Sequence, residues 1–179
     1  LRQEPWETLC SFIVSQNNNM PRIKKIIAAL SEVYGEKFEC KTEAGERIVC
    51  SAFPTPEALA EAGEQAIYAL RTGFRAKYIF DAARRVAEGE IDLEAVAKLP
   101  TSEAAAELMK IKGVGIKVAS CVLLFGFGRT EVFPVDVWVR RVLEKYYPDS
   151  LDISALGRYA GIAQQYLFYY ERYTAGGTR

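Results

Sequence analysis

Residues 109–119 read Met-Lys-Ile-Lys-Gly-Val-Gly-Ile-Lys-Val-Ala. The segments on either side, 102–110 and 117–125, carry apolar residues at helical spacing, so the stretch predicts a helix, a short turn and a second helix. Gly113 and Gly115 remove from that turn the side chains that would hold another backbone away. Together with Val114 they leave main-chain N–H groups at the N-terminus of the following helix. There, hydrogen bonding and the helix dipole can hold a phosphate oxygen. A bare Gly-x-Gly is more often only a tight connection, so the flanks decide. The ordered set Ile-x-Gly-Val-Gly-x-Lys-x-Ala between two amphipathic helices favours a helical hairpin whose open amides hold a phosphate.

The chain of 179 residues has 23 Lys plus Arg, 23 Asp plus Glu and no histidine. The missing histidine excludes His bases, His-oriented nucleophiles and His metal ligands. Zero net charge supplies no long-range attraction for a polyanion, so nucleic-acid binding requires positive potential concentrated locally. No apolar stretch reaches the roughly 18–20 residues of a membrane span, and no signal-peptide pattern opens the chain. A cytoplasmic (bacterial nucleoid) or nuclear setting is therefore expected, with no membrane association. Cys10, Cys40, Cys50 and Cys121 form no C-x-x-C pair or metal spacing. Reduced thiols are expected, and a hairpin bringing Cys40 opposite Cys50 is the minority expectation.

Lys117 stands one turn into the helix after the glycine turn, between Val118, Ala119 and Val122. It reads either as a surface lysine with a buried stem or as a nucleophile, since a neutral amine in a partly desolvated site attacks electrophilic carbon. Asp136, in Phe-Pro-Val-Asp-Val-Trp (133–138), reads as a helix N-cap or as a carboxylate partner of that lysine. The hairpin, the lysine and the aspartate in this order argue for the functional reading of both.

The remaining chain is almost entirely helical in pattern. Trp6, Leu9, Cys10, Ile13 and Val14 form an amphipathic stripe that stops at the polar run 16–19. Ile23, Ile26, Ile27, Leu30 and Val33 form a second stripe, ending at Gly35. Residues 36–53 break the helical period and predict either a small hairpin near 37–53 or an irregular excursion. Short helices are expected near 56–62, 64–71, 76–88, 92–98 and 102–110, then 117–125, 136–146 and 154–172, about ten in all. No repeat or low-complexity linker divides the chain, so one compact all-α body is the simplest reading.

Ile-Lys-Gly-Val-Gly-Ile-Lys followed by Pro-Val-Asp resembles the signature of the helix-hairpin-helix DNA glycosylase superfamily in its bifunctional form, and within it the 8-oxoguanine DNA glycosylase/AP lyase family. Residues 11–22, Ser-Phe-Ile-Val-Ser-Gln-Asn-Asn-Asn-Met-Pro-Arg, resemble that family's asparagine-rich loop and the arginine after it. Residues 73–78, Gly-Phe-Arg-Ala-Lys-Tyr, resemble its second arginine loop, and 159–168 its last helix. The resemblance runs from about residue 5 to 171. It implies a helical glycosylase core over 1–179, with two subdomains flanking a DNA-binding cleft. One is a six-helix unit over about 20–132 that contains the hairpin, and the other comprises about 1–19 plus 133–179. Many members also carry an N-terminal β-rich domain, which is expected to be absent here.

The resemblance further implies a mechanism. The damaged nucleotide is flipped into a pocket, Lys117 attacks C1′, and the resulting Schiff base undergoes β-elimination while Asp136 stabilises positive charge on the sugar. Gln164 would hydrogen-bond the purine edge and Phe168 would stack on it, four residues along the same helix face. Cys121 would line the opposite side of the pocket or serve only as a small core residue. Asn17, Arg22 and Arg75 correspond to positions that hold the opposite cytosine and the vacated gap, and Phe74 to an aromatic wedge, usually tyrosine. Asn17–Asn19 alone read equally as a helix-terminating loop. Lys110 and Lys112 are expected to face the same cleft. Trp138 departs from the pattern, standing where the family often has histidine.

The expected partner is double-stranded DNA containing 8-oxoguanine, bound by a monomer, with no cofactor and no metal. Two other readings stand beside this one. An endonuclease III-like glycosylase for oxidised pyrimidines commonly ends in a four-cysteine iron-sulfur loop, and residues 122–179 contain no cysteine. In a non-catalytic helix-hairpin-helix DNA-binding module, Lys117 would only add charge.

Overall fold

The structure, a computed structural model, describes residues 2–173; Leu1 and the last six positions of the expected second subdomain, 174–179, lie outside the described residues. Nine α-helices and one two-stranded sheet are found among the described residues. Helix α1 is Pro5–Ser15, α2 Met20–Tyr34, α3 Pro56–Ile67, α4 Ala76–Ala87, α5 Leu93–Lys98, α6 Thr101–Leu108, α7 Ile116–Phe125, α8 Val137–Tyr146 and α9 Ala160–Tyr173. Strands β1 (Lys37–Lys41) and β2 (Arg47–Ser51) pair antiparallel between α2 and α3.

Local chemistry sets these boundaries. Glu4, Asn19, Thr55, Asp92 and Asp136 each cap a helix by accepting from free N–H groups of the first turn, and proline opens α1, α2 and α3 near their N-termini. The two helices expected over 56–71 are present within α3 as two helical runs broken at Gly63 (φ 80°, ψ 164°), and a wide turn over Tyr68–Thr72 follows them. The last helix starts at Ala160 instead of 154, because Gly157 at φ 58° interrupts the run and leaves 153–159 as tighter turns.

The cysteine expectation needs correction: Cys40 and Cys50 are joined in a disulfide, and only Cys10 and Cys121 remain free, both buried. Compartment and spacing had argued for four thiols. The hairpin register overrides them, since Cys40 lies opposite Ile48 and Cys50 opposite Phe38, which puts both sulfurs on one face with Cα atoms 6.3 Å apart.

The apolar faces converge on one core that includes Leu9, Ile13, Leu30, Leu59, Ile79, Leu108 and Leu123, each fully or almost fully buried. Helix α1 packs on α2, α4 and α7, whereas α8 packs on α9. The second group meets the first at Gly161, at the start of α9. Its N–H donates to the Thr130 carbonyl at 2.7 Å, and a Cβ built there would lie 2.4 Å from the Val132 oxygen and 2.6 Å from a Leu124 methyl. A Gly161→Ala substitution is therefore expected to lower unfolding free energy by about 1–3 kcal/mol through overpacking, measured by denaturant titration. An unchanged midpoint would show that α9 shifts freely.

Candidate active site

Helix α7 presents Lys117, Cys121 and Phe125 at i, i+4 and i+8, on one face. Opposite them stand Pro134 and Asp136, from the segment leading into α8, and Gln164, Gln165 and Phe168 from α9. With Phe12 of α1 these residues line a single cavity of about 180 Å³. All five residues expected to form the catalytic pair and the base pocket, Lys117, Asp136, Cys121, Gln164 and Phe168, are thus brought together.

Their environments divide the chemistry. Phe12 and Phe125 stack with ring centroids 5.5 Å apart and form an apolar wall. The Lys117 amine lies 5.4 Å from the centre of the Phe12 ring and is in no ion pair among the described residues. Asp136 Oδ1 accepts from the Val139 N–H at 2.8 Å. One side chain therefore serves both readings of that residue, as cap of α8 and as a carboxylate in the cavity. Gln164, 3% exposed, accepts at Oε1 from Gln165 Nε2 at 2.5 Å. Burial pushes the Cys121 thiol up to about 11, with Asp136 adding to the rise and Lys117 opposing it. Cys121 is thus a neutral thiol near pH 7 and no competing nucleophile.

The hairpin itself spans 109–115. Its two glycines have different reasons. Gly113 sits at φ 81° with the Tyr78 ring 2.5 Å from where a Cβ would be, whereas Gly115 has nothing within 4 Å of that point. Asp81 of α4 anchors the turn by accepting from the Lys112 N–H at 2.8 Å and is itself paired with Arg85 at 3.0 Å. Gly115 supplies no capping side chain to α7, so the first N–H groups of that helix are left for an external acceptor. Val114 is buried and locks the turn to the core.

The other predicted residues form a second group. Asn17, at φ 47°, lies in the loop after α1, and Arg22 donates from Nη2 to the Arg71 carbonyl at 3.1 Å. Phe74 is 46% exposed, and the Arg75 guanidinium lies 4.4 Å from its ring centre. Arg75 itself does not face the cleft as expected. It is 2% exposed and donates to the carbonyls of Gln16 (Nε, 2.8 Å), Asn17 (Nη2, 2.7 Å) and Thr72 (Nη1, 3.2 Å). A guanidinium has enough donors in one plane to staple two turns together, and these three carbonyls take four of its five. Burial, and secondarily the charge of Arg22, lowers its pKa from the ordinary value. Lys110 likewise is engaged, 2.6 Å from Glu107. Trp138 packs under Arg141, 4.8 Å from ring centre to guanidinium carbon.

Phe12, Phe125 and Gln165 were not anticipated. Phe125 was legible as the next residue on the Lys117–Cys121 face. Phe12 was marked only by being a large aromatic off the buried stripe of α1. Among the described residues no helix is long and apolar enough to cross a membrane, and no three potential ligands from His, Cys, Asp and Glu cluster as a metal site would require.

Gly113→Ala is expected to destabilise by about 2–4 kcal/mol, combining left-handed strain with the Tyr78 clash. Gly115→Ala should change stability by less than about 0.5 kcal/mol. Thermal melts of the two variants separate the roles, and equal melting losses would refute the division.

The family described as HhH-GPD superfamily base excision DNA repair protein matches residues 10–154. An N-glycosylase/DNA lyase of Saccharomyces cerevisiae is 39% identical over 161 residues, covering 84% of this chain and 42% of the relative. A probable N-glycosylase/DNA lyase of Methanothermobacter thermautotrophicus is 32% identical, covering 83% of this chain and 52% of the relative. Among solved structures, the Clostridium acetobutylicum 8-oxoguanine glycosylase/lyase in complex with double-stranded DNA containing cytosine opposite 8-oxoguanine superposes with a TM-score of 0.85 at 41% identity, covering 96% of this chain and 61% of that one. The chain spans about half the length of these curated relatives.

Proposed function

The chain belongs to the HhH-GPD superfamily of base excision DNA repair proteins, and we infer from its site that it removes 8-oxoguanine opposite cytosine from duplex DNA and then cleaves the abasic strand as a lyase. The observation that carries this reading is the shared cavity. The amine of Lys117, the carboxylate of Asp136 and the amide and ring of Gln164 and Phe168 line one space, and Lys117 stands two residues after Gly115, the open end of the phosphate-holding turn.

In this reading the hairpin amides hold the backbone next to the lesion while the damaged nucleotide rotates out of the stack. The base enters between Phe168 and the wall of α7, and Gln164 hydrogen-bonds its edge. The Lys117 nitrogen forms a bond to C1′ as the C1′–N9 bond breaks, and the bonding pair leaves with the purine. Sugar ring opening gives an iminium between Lys117 and C1′. Loss of a proton from C2′ then expels the 3′ phosphate by β-elimination. The Asp136 carboxylate stabilises the positive charge that develops on the sugar. Asn17 and Arg22 contact the opposite cytosine, Phe74 enters the stack, and Arg75 positions the loop that carries Asn17. The protein acts as a monomer, in whichever compartment holds the DNA, nucleoid or nucleus. The endonuclease III-like and non-catalytic readings have no such support from the likeness to 8-oxoguanine glycosylase/lyase.

Borohydride trapping on a duplex with 8-oxoguanine opposite cytosine should give a covalent adduct, formed more slowly opposite adenine. Lys117→Gln should abolish it. An adduct retained by Lys117→Gln would identify another nucleophile, and none from folded wild-type protein would remove the lyase step. Asp136→Asn keeps a good N-cap, so its melting temperature should match wild type while single-turnover cleavage falls about 10²- to 10⁴-fold. A rate within a factor of two of wild type would reduce Asp136 to a cap.

A further inference from the structure

Beside the Asn17–Phe74 group lies a second cavity of about 460 Å³ that no step above uses. Its lining includes the exposed Arg22, Lys25, Arg71 and Asn19 together with the buried Ile26 and the half-buried Leu70. No carboxylate lines it, and none of the three cations is in an ion pair among the described residues. Elsewhere in this electrically neutral chain, Arg84 and Arg85 are matched by Glu88, Glu90 and Asp81. The pocket is therefore one place where positive charge is left uncompensated around a concave surface. Arg71 also sits at φ 62°, ψ 25°, a left-handed conformation in which glycine would be unstrained. The Arg22 guanidinium bridges the two walls by donating to the Arg71 carbonyl.

We propose that this pocket binds one sugar-phosphate step of the DNA strand opposite the lesion, with Lys25 and Arg71 holding the phosphate and the apolar part of the lining receiving the deoxyribose. Arg22 belongs both to this pocket and to the group assigned to the opposite cytosine, so a nucleotide whose base reaches Asn17 and Arg22 brings its neighbouring phosphate to Lys25 and Arg71. The assignment rests on the proposed lesion-DNA activity. It adds a contact that fixes the undamaged strand while the damaged one is distorted. Phosphate contacts position a duplex without reading sequence.

The test measures affinity for a duplex carrying a tetrahydrofuran abasic analogue opposite cytosine, as a function of salt. Single neutral methylphosphonates are then placed in turn along the undamaged strand. Lys25→Ala and Arg71→Gly are the variants. The glycine suits the left-handed backbone and leaves the Arg22 acceptor, a main-chain carbonyl, in place. Loss of the phosphate contact should weaken binding about tenfold at low salt and reduce the slope of log K against log salt by about 1. One methylphosphonate position should weaken wild type and have no further effect on the double variant. Unchanged slopes, or identical methylphosphonate profiles in both proteins, would overturn the proposal. If Arg71→Gly melts below wild type, Lys25→Ala with the same scan decides. Wild type that traps on borohydride while the variants bind like it would sink the pocket alone. Wild type that neither traps nor prefers the lesion duplex would sink the functional reading first.

Discussion

The contact on which the candidate site depends is the approach of α9 to the segment after α7 at Gly161. The Gly161 N–H reaches the Thr130 carbonyl at 2.7 Å because no side chain holds the two backbones apart. Gln164 and Phe168 follow three and seven residues later, on the same helix face, and so are delivered over Lys117 and Asp136. Thr130 adds a hydroxyl bond to the Arg158 carbonyl at 2.7 Å, which fixes the entry to the helix. Moved outward by the width of a methyl group, α9 would open the cavity between the Lys117 amine and the Gln164 and Phe168 side chains. The relative positioning of reacting groups is sensitive to displacements on that scale.

Charge is managed in the same local way. For a neutral chain to meet a polyanion, donors have to stay open at selected points while charge is compensated elsewhere. The acids cluster where they hold structure: Asp81 under the hairpin, Glu88 and Glu90 against α4, Glu107 beside Lys110. The open points are the N-terminus of α7, the Lys117 amine, and the group formed by Arg22, Lys25 and Arg71. Arg75 shows how charge type misleads when read alone. Its position in the loop suits a DNA contact, yet four of its five donors go to three backbone carbonyls, and what it does in this structure is tie the loop.

The disulfide illustrates a similar competition. Spacing and compartment are weak, averaged arguments, and they pointed to free thiols. A specific strand register is a strong one, because it decides which two side chains share a face at a distance that a disulfide can span. The hairpin was predicted, but its register was not, and the cross-link follows from the register.

Much of the molecule was legible from residues 109–119 outward, since helical period, capping residues and the glycine turn are local features encoded within a few positions of one another. Lys117, the nucleophile of the proposed reaction, was legible because its distance from the hairpin is a distance along the chain. Phe12 in the cavity wall, the burial of Arg75 and the unmatched charges at Lys25 and Arg71 were not. Each joins residues far apart in sequence, 12 with 125, 75 with 16, 25 with 71, and such pairings are set by how helices pack. The sequence alone determined the helices, the glycine turn between two of them and the lysine that follows it. Only the tertiary structure decided which charges face outward and which aromatic rings enclose the amine, because those depend on inter-helix contacts that no local pattern specifies.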